Sequence, residues 1–366
     1  MKTKNGGNME RRDIIRDIRE KDRAVYKTHL TFGNCCIEVA ANQKEIISDL
    51  QSYFGPFVQS KGMAEIVITV HETQTPPFEK ASFTIKEPDP GKTKIKEEYI
   101  DLADGRIVRK RLTGMVFVFG EGENLAIGPC RENINQVINF INNRFIEWEL
   151  CRGCLLGHAA GIIWKGKGLA LAGFSGAGKS TLALHIMNHG AVFVSNDRLM
   201  IEKKNKKVKM YGVAKLPRIN PGTILNNPSL QKIMSDEERE YFSDLPKEEL
   251  WELEHKFDAP IDECFGPNRF VLDAPMYALA ILNWKHSAGP VQVKQVNPAE
   301  RRDLLPAFMK DTGLFFTPYN GCRMPEPSEE NYIAHLSLCS VLEFSGGVDF
   351  ETAAQKCISF LEKGCL

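Results

Sequence analysis

Apolar residues recur along this chain with two different periods, and the change of period divides it. Residues 1–28 are polar and strongly charged, and Ile14, Ile15 and Ile18 form a narrow helical stripe among them. That pattern reads as a charged N-terminal helix or arm lying on the surface. Over 29–150 the two-residue period of half-buried strands dominates. The segments 31–39, 64–71, 82–86, 94–102, 106–112, 115–119 and 124–127 read as strands, with turns at 103–106 and 120–123. Two stretches switch to the helical period. One is 43–54, with Ile46, Ile47, Leu50, Tyr53 and Phe54 on one side and a stop at Gly55-Pro56. The other is 132–150, with Ile134, Val137, Ile138, Ile141, Phe145 and Trp148 three and four residues apart. Together they predict a smaller α+β accessory domain over 29–150 with a mainly antiparallel sheet. No catalytic motif stands in it, and His29 and His71 read as structural.

The pattern over 151–366 is different. A hairpin over 157–173 turns at Lys165-Gly-Lys-Gly168, a helix begins at Lys179, and 190–197 is a short buried strand. A second hairpin over 199–211 turns through the basic residues 203–207. An irregular Pro/Gly-rich stretch, 212–222, follows, then a polar helical segment over 235–256. The run 275–284 is almost unbroken in its apolar character, as a strand buried on both faces should be. Residues 298–310, 329–338 and 350–363 read as helices and 339–344 as one more buried strand. Strands alternating with helices predict an α/β domain.

The second strand of the first hairpin leads into Gly173-Phe-Ser-Gly-Ala-Gly-Lys179-Ser180, a complete G-x-x-x-x-G-K-[ST] phosphate-binding loop. Glycines allow the tight turn that aims successive backbone N–H groups at phosphate oxygens, and the helix that follows points its positive end at the same place. The expected nucleotide-binding set is Gly173, Ser175, Gly176, Ala177, Gly178, Lys179, Ser180 and Thr181. Lys179 would reach the β- and γ-phosphates of ATP, and the Ser180 hydroxyl would complete the shell of a Mg²⁺ ion. The strand 190–197 ends in Asn196-Asp197, eighteen positions after Lys179. One helix and one neighbouring strand would return Asp197 to the loop as a second metal-associated oxygen. Lys215, Arg218 and Arg269 are candidate contacts to phosphate or acceptor.

Composition narrows the alternatives. Lys+Arg and Asp+Glu both total 47 in 366 residues, which leaves no electrostatic argument for nucleic acid or an anionic membrane as partner. No apolar run is long enough for a membrane span, and the first residues lack an apolar signal core. The ten cysteines are therefore expected as reduced thiols of a cytoplasmic protein, and Cys151-Arg-Gly-Cys154 as a lone C-x-x-C. A GTPase would carry an N-K-x-D motif, which is absent. Phe344-Ser-Gly-Gly347 echoes an ABC-type signature but has no following strand ending in Asp-Glu.

The segment from His158 to Ile201 resembles the catalytic domain of HPr kinase/phosphorylase, the bacterial serine kinase of the phosphoenolpyruvate-carboxykinase-like group. The residues that carry the resemblance are His158-Ala159, Gly173–Ser180, Gly190 and Asn196-Asp197, with matching separations. It is specific over roughly 45 residues, extends loosely over 150–366, and does not reach the N-terminal part. It implies a P-loop kinase domain, an ATP- and Mg²⁺-dependent transfer to a hydroxyl of a protein or small-molecule acceptor, and a homo-oligomer. By the same resemblance Lys179, Asp197, His158 and Asn196 are the catalytic positions, with Ser180 and Asp197 at the metal. Three departures stand out. Asn196 occupies the first of the family's paired acids, Ala159 replaces a glycine, and Lys215-Leu-Pro-Arg218 stands where the family has Glu-Ile-Arg-Gly. An asparagine cannot serve as a base, so that task falls to Asp197 or His158. The rival expectation is a nucleotide-binding regulatory or assembly module without phosphotransfer. A carboxykinase would need a cluster of convergent arginines that the sequence does not reveal.

Overall fold

The computed structural model describes residues 10–60, 62–78, 81–88, 93–174, 176–246, 249–250, 253, 255–285 and 289–366. It is a mixed α/β protein with two nine-stranded sheets among the described residues. The chain divides into two compact units: 1–152 with 312–322, and 153–311 with 323–366. Residues 1–9 of the charged N-terminal arm lie outside the described residues.

In the first unit the helices are α1 (Arg11–Lys21), α2 (Lys44–Phe54) and α3 (Ile134–Cys151). Its strands are β1 (Tyr26–Phe32), β2 (Cys35–Ala41), β3 (Val58–Gln59), β4 (Ile66–Glu72), β5 (Thr84–Ile85), β6 (Glu97–Leu102), β7 (Gly105–Lys110), β8 (Val116–Phe119) and β9 (Glu123–Gly128). They run in the order β3-β1-β2-β4-β9-β8-β7-β6-β5. The β2–β4 and β4–β9 pairs at the centre are parallel and the other pairs antiparallel. The expected single strand over 31–39 is in fact a hairpin corner. The chain turns at Gly33, whose φ of 59° favours a residue without a Cβ, and Phe32 pairs with Cys35.

All four residues of β8 are buried because both faces of the sheet are covered. Val116 and Val118 meet Ile14, Ile15 and Ile18 of α1 in one apolar cluster. Phe117 and Phe119, on the alternate face, lie 4.8 and 5.9 Å from the Phe140 ring of α3. Residues 312–322 return to this unit, although the sequence reads as one continuous domain from 151. Phe315 packs on Phe119 at 5.4 Å, Arg144 donates to the Phe315 carbonyl, and Thr317 N–H donates to Glu147 at 3.0 Å. Cys151 and Cys322 form a disulfide there, which overturns the expectation of ten reduced thiols. The partner of the C-x-x-C cysteine stands 171 positions away, beyond the reach of any local spacing rule.

The second unit contains β10 (Leu155–Gly157), β11 (Ala159–Trp164), β12 (Lys167–Gly173), α4 (Lys179–Asn188), β13 (Val192–Ser195), β14 (Leu199–Lys204), β15 (Lys207–Tyr211) and β16 (Arg218–Ile219). It continues with α5 (Pro221–Leu225), α6 (Asp236–Ser243), β17 (Phe257–Asp258), α7 (Ile261–Phe265), β18 (Asp273–Leu282), β19 (Gln292–Val296), α8 (Glu329–Leu336), β20 (Ser340–Ser345) and α9 (Phe350–Lys363). The main path of its sheet is β10-β14-β15-β18-β12-β11-β13, and β20 pairs with β18 and β19. Central β18 is parallel to β12 and β20, which explains its apolar run. The helix expected over 298–310 is only a short 3₁₀ turn, Arg302–Ala307, since Pro306 removes an N–H that a longer helix would need.

Candidate functional site

The β11–β12 hairpin turns through Lys165 and Gly166, both at positive φ, as a two-residue turn between twisted strands demands. Strand β12 then delivers Gly173 to the end of the sheet. A Cβ at Gly173 would come within 2.9 Å of the Ala177 Cβ and 3.1 Å of Leu282, so the loop folds tightly over its own strand. Gly176 and Gly178 have φ of 78° and 84°. Gly178 caps α4 in the left-handed region, with the Phe350 ring 2.5 Å from where a Cβ would stand. Trp284, just past β18, donates its indole N–H to Ala177 O at 2.9 Å. The Lys179 ammonium donates to Gly173 O at 2.9 Å, closing the loop on itself. Ser175 lies outside the described residues.

Helix α4 buries Leu182, Ala183, Leu184, Ile186 and Met187, with α9 packed along it. The first N–H groups of any α-helix lack intrahelical acceptors, so this end of α4 presents donors and the positive dipole end. Thr181 Oγ1 lies 3.0 Å from Thr223 Oγ1, and Thr223 donates to Asn220 Oδ1 at 2.9 Å. These contacts tie the Gly-rich loop's helix to the irregular stretch 212–222.

Asp197 follows β13. The strand beside β12 is β11, and β13 lies beyond it, so the expected neighbouring strand is one place further out. Two strand spacings amount to about 10 Å, and β12 and β13 are parallel through their shared antiparallel partner. Their carboxyl ends, bearing Gly173 and Asn196-Asp197, therefore share one edge of the sheet. There His158 Nε2 lies 2.9 Å from Asp197 Oδ1, and Arg198 Nε lies 3.2 Å from Asp197 Oδ2. Burial works to raise the Asp197 carboxyl, but the hydrogen bond from His158 and the charges of Arg198, His158 and Lys310 outweigh it and hold it well below the usual range. Asn196 Oδ1 is buried with no hydrogen-bond partner.

Gly212 runs so close to β13 that a Cβ would lie 2.0 Å from Val194 O. This contact carries Lys215 to the site. Burial lowers the Lys215 ammonium, against the pull of Asp197. Burial likewise lowers Lys179, which feels Asp197 as attraction and Lys310 as repulsion.

Two candidates have partners of their own. Arg218 is exposed, pairs with Asp258 at 3.6 Å and acts on Lys215 as a like charge. Arg269 donates to Gly190 O at 2.5 Å and Ala191 O at 3.3 Å, past the far end of α4. Ten helical residues rise about 15 Å, so Arg269 clamps the helix exit rather than the loop. The sequence reading missed Arg198, Lys310, Trp284, Thr223 and Phe350. Trp284 closes the longest apolar run, which was its one available signal. The others become neighbours only through the sheet order.

The architecture is mixed α/β with large sheets, a form that suits an α/β nucleotide-binding fold. No family model matches the chain, and no curated protein matches it. Among solved structures it is similar to the Hpr(Ser) kinase/phosphatase from Coxiella burnetii, with a TM-score of 0.30 and 9% identity, over 57% of this chain and 95% of that one. That neighbour is a distant one. Among the described residues no helix is long and apolar enough to cross a membrane.

Proposed function

We propose that this chain is an ATP- and Mg²⁺-dependent phosphotransferase of the P-loop kinase type, carrying the γ-phosphate to a hydroxyl of a protein or small molecule. The observation that supports it most is the convergence on one sheet edge of the Gly173–Ser180 loop, Lys179, Lys215 and the His158–Asp197 pair. Backbone donors of the loop and the Lys179 ammonium hold the β- and γ-phosphates. For this Lys179 leaves Gly173 O, a neutral acceptor, for a charged one.

The oxygen set fits a hard divalent ion: the orphaned Asn196 Oδ1, the Asp197 carboxylate and the Ser180 hydroxyl. Among the described residues no cluster of three His, Cys, Asp or Glu side chains stands ready for a metal. Mg²⁺ characteristically takes one or two protein oxygens and fills its shell with phosphate and water. When bound, it would neutralise charge developing on the transferred phosphoryl group. Asp197 remains ionised and orients His158, which takes the acceptor hydroxyl's proton and is stabilised as an imidazolium by the same carboxylate. Catalysis of this kind depends mostly on positioning and charge neutralisation.

A second reading has its own observation. Asn196 can accept no proton, and its Oδ1 meets no donor, which suits a nucleotide-binding module without turnover. Titration of the full chain with Mg·ATP beside Lys179→Ala, following binding and ADP release in cell extract, separates the two. Lysine-dependent binding with ADP release supports the kinase, and binding without release supports the module. Binding indifferent to Lys179 would remove the basis of both.

A further inference from the structure

Helix α1 in the first unit is sorted by charge. Its apolar stripe, Ile14, Ile15 and Ile18, is buried against residues of β8 and β9. Arg11 is buried beside it, with Nε 3.6 Å from Asp104 Oδ2 and a hydrogen bond donated to Glu123 O. On the flank toward β9, Arg12, Arg16, Arg19 and Arg23 recur at three- and four-residue spacing. With Glu20 and Glu123 they line an open groove of about 410 Å³. Asp13, Asp17 and Glu20 fall on the adjoining stripe of the helix.

The acids at hand leave part of this charge uncancelled. Arg16 pairs with Asp13 at 2.7 Å. Arg19 is held in place: its Nε and Nη2 donate to the buried Thr69 Oγ1 at 3.0 and 2.6 Å, and its Nη1 lies 3.2 Å from Glu123. The guanidinium groups of Arg12 and Arg23, at the two ends of the row, make no ion pair or hydrogen bond among the described residues. Four guanidinium groups against two carboxylates leave the groove cationic. Burial of the apolar stripe fixes the row before any partner arrives, which lowers the cost of binding one.

Every cation of the groove is an arginine, whose planar fork meets a carboxylate in two parallel hydrogen bonds. From Arg12 to Arg19 the row covers two helical turns, about 11 Å, and Arg23 lengthens it. An extended chain advances about 3.3 Å per residue, so a segment of about four to six residues lies along the whole row. The row is narrow, and the acidic stripe beside it repels a broad polyanion such as a nucleic-acid duplex or an anionic bilayer. We propose that this groove docks a short acidic segment of another protein, whose Asp and Glu carboxylates pair with Arg12 and Arg23. The proposal stands apart from the nucleotide reading of the Gly173–Ser180 loop.

The test is fluorescence anisotropy of labelled hexaglutamate with the full chain at about 50 mM and about 150 mM salt. Beside the parent stand two double variants that remove the same charge. One is Arg12→Gln with Arg23→Gln. The other is Lys203→Gln with Lys207→Gln, at the exposed β14–β15 turn. The arginine pair is expected to weaken binding by about fivefold to thirtyfold, and the lysine pair by less than about twofold. Arg12→Glu with Arg23→Glu should exchange the preference for hexaglutamate for one for hexalysine. All four positions are exposed, and thermal melts confirm that each variant folds as the parent does. Equal weakening by the two Gln pairs would mean attraction by overall charge and would overturn the proposal. So would no binding of hexaglutamate to the parent at the lower salt, or tighter, arginine-dependent binding of a DNA duplex or of phosphatidylserine vesicles.

Discussion

Trp284 reaches from the end of β18 to donate its indole N–H to the Ala177 carbonyl, 2.9 Å away, inside the Gly-rich loop. Its ring also meets Phe350 edge-on at 5.5 Å, and Phe350 lies against Gly178. The loop is thus held from behind by the last residues of the central strand and the first of α9. Trp284→Phe keeps most of the ring contact and removes the hydrogen bond. It is expected to cost about 1 kcal/mol and to speed hydrogen exchange over 174–179, read by mass spectrometry. Unchanged exchange in those residues would mean that the bond does not order the loop.

The two left-handed loop glycines differ in what surrounds them. A Cβ at Gly176 meets nothing within 4 Å, whereas one at Gly178 meets the Phe350 ring. Gly176→Ala should therefore carry only the backbone penalty, about 1–2 kcal/mol. Gly178→Ala should add an overpacking penalty of about 1–3 kcal/mol. Thermal melts of both, with Gly178→Ala in a Phe350→Leu background, check the ordering; equal melting points for the two single variants would contradict it.

The state of Asp197 makes a prediction in pH. Its carboxyl is held below the ordinary aspartate value of about 3.9, so it releases its proton more readily folded than unfolded. Such a group contributes stability that is fully present above the unfolded value and lost as pH falls through the folded one. The stability difference between the parent chain and Asp197→Asn should be level between pH 7 and 5 and shrink below about pH 4. Urea titrations at several pH values measure it. In His158→Ala the Asp197 carboxyl should move back up toward its ordinary value, as carboxyl NMR would show.

The disulfide gives the fourth prediction. The unfolded, unreduced chain should show eight reactive thiols from its ten cysteines. Removal of the bridge by Cys151→Ser with Cys322→Ser should destabilise the first unit by about 2–5 kcal/mol. The strap 312–322 would then rely on Phe315 and the buried Arg144–Glu147 pair, 3.0 Å apart. Ten reactive thiols in non-reducing denaturant would sink the assignment.

Local pattern was enough for most elements. The apolar stripe of α3, the β11–β12 hairpin and its turn, α9 from Phe350 to Lys363 and the apolar run of β18 are all written in periods of a few residues, because each buries one face or both. The phosphate-loop motif is likewise local, since its glycines answer a local backbone demand. Where turns interrupt a period the sequence reading erred: Gly33 splits one expected strand into two, and Pro306 shortens an expected helix.

What the tertiary structure alone decided is partnership across the chain. Sequence spacing could bring Asp197 toward Lys179, but strand order decided that β11 lies between their strands and that His158, at the start of β11, meets Asp197. It also sent Arg269 to the exit of α4, seated Lys310 beside the dyad, and joined Cys151 to a cysteine 171 positions on. The reason is physical. Local conformation depends on neighbours within a turn or a strand, whereas these contacts depend on which strands pair in a sheet, and pairing is settled by burial of whole faces at once.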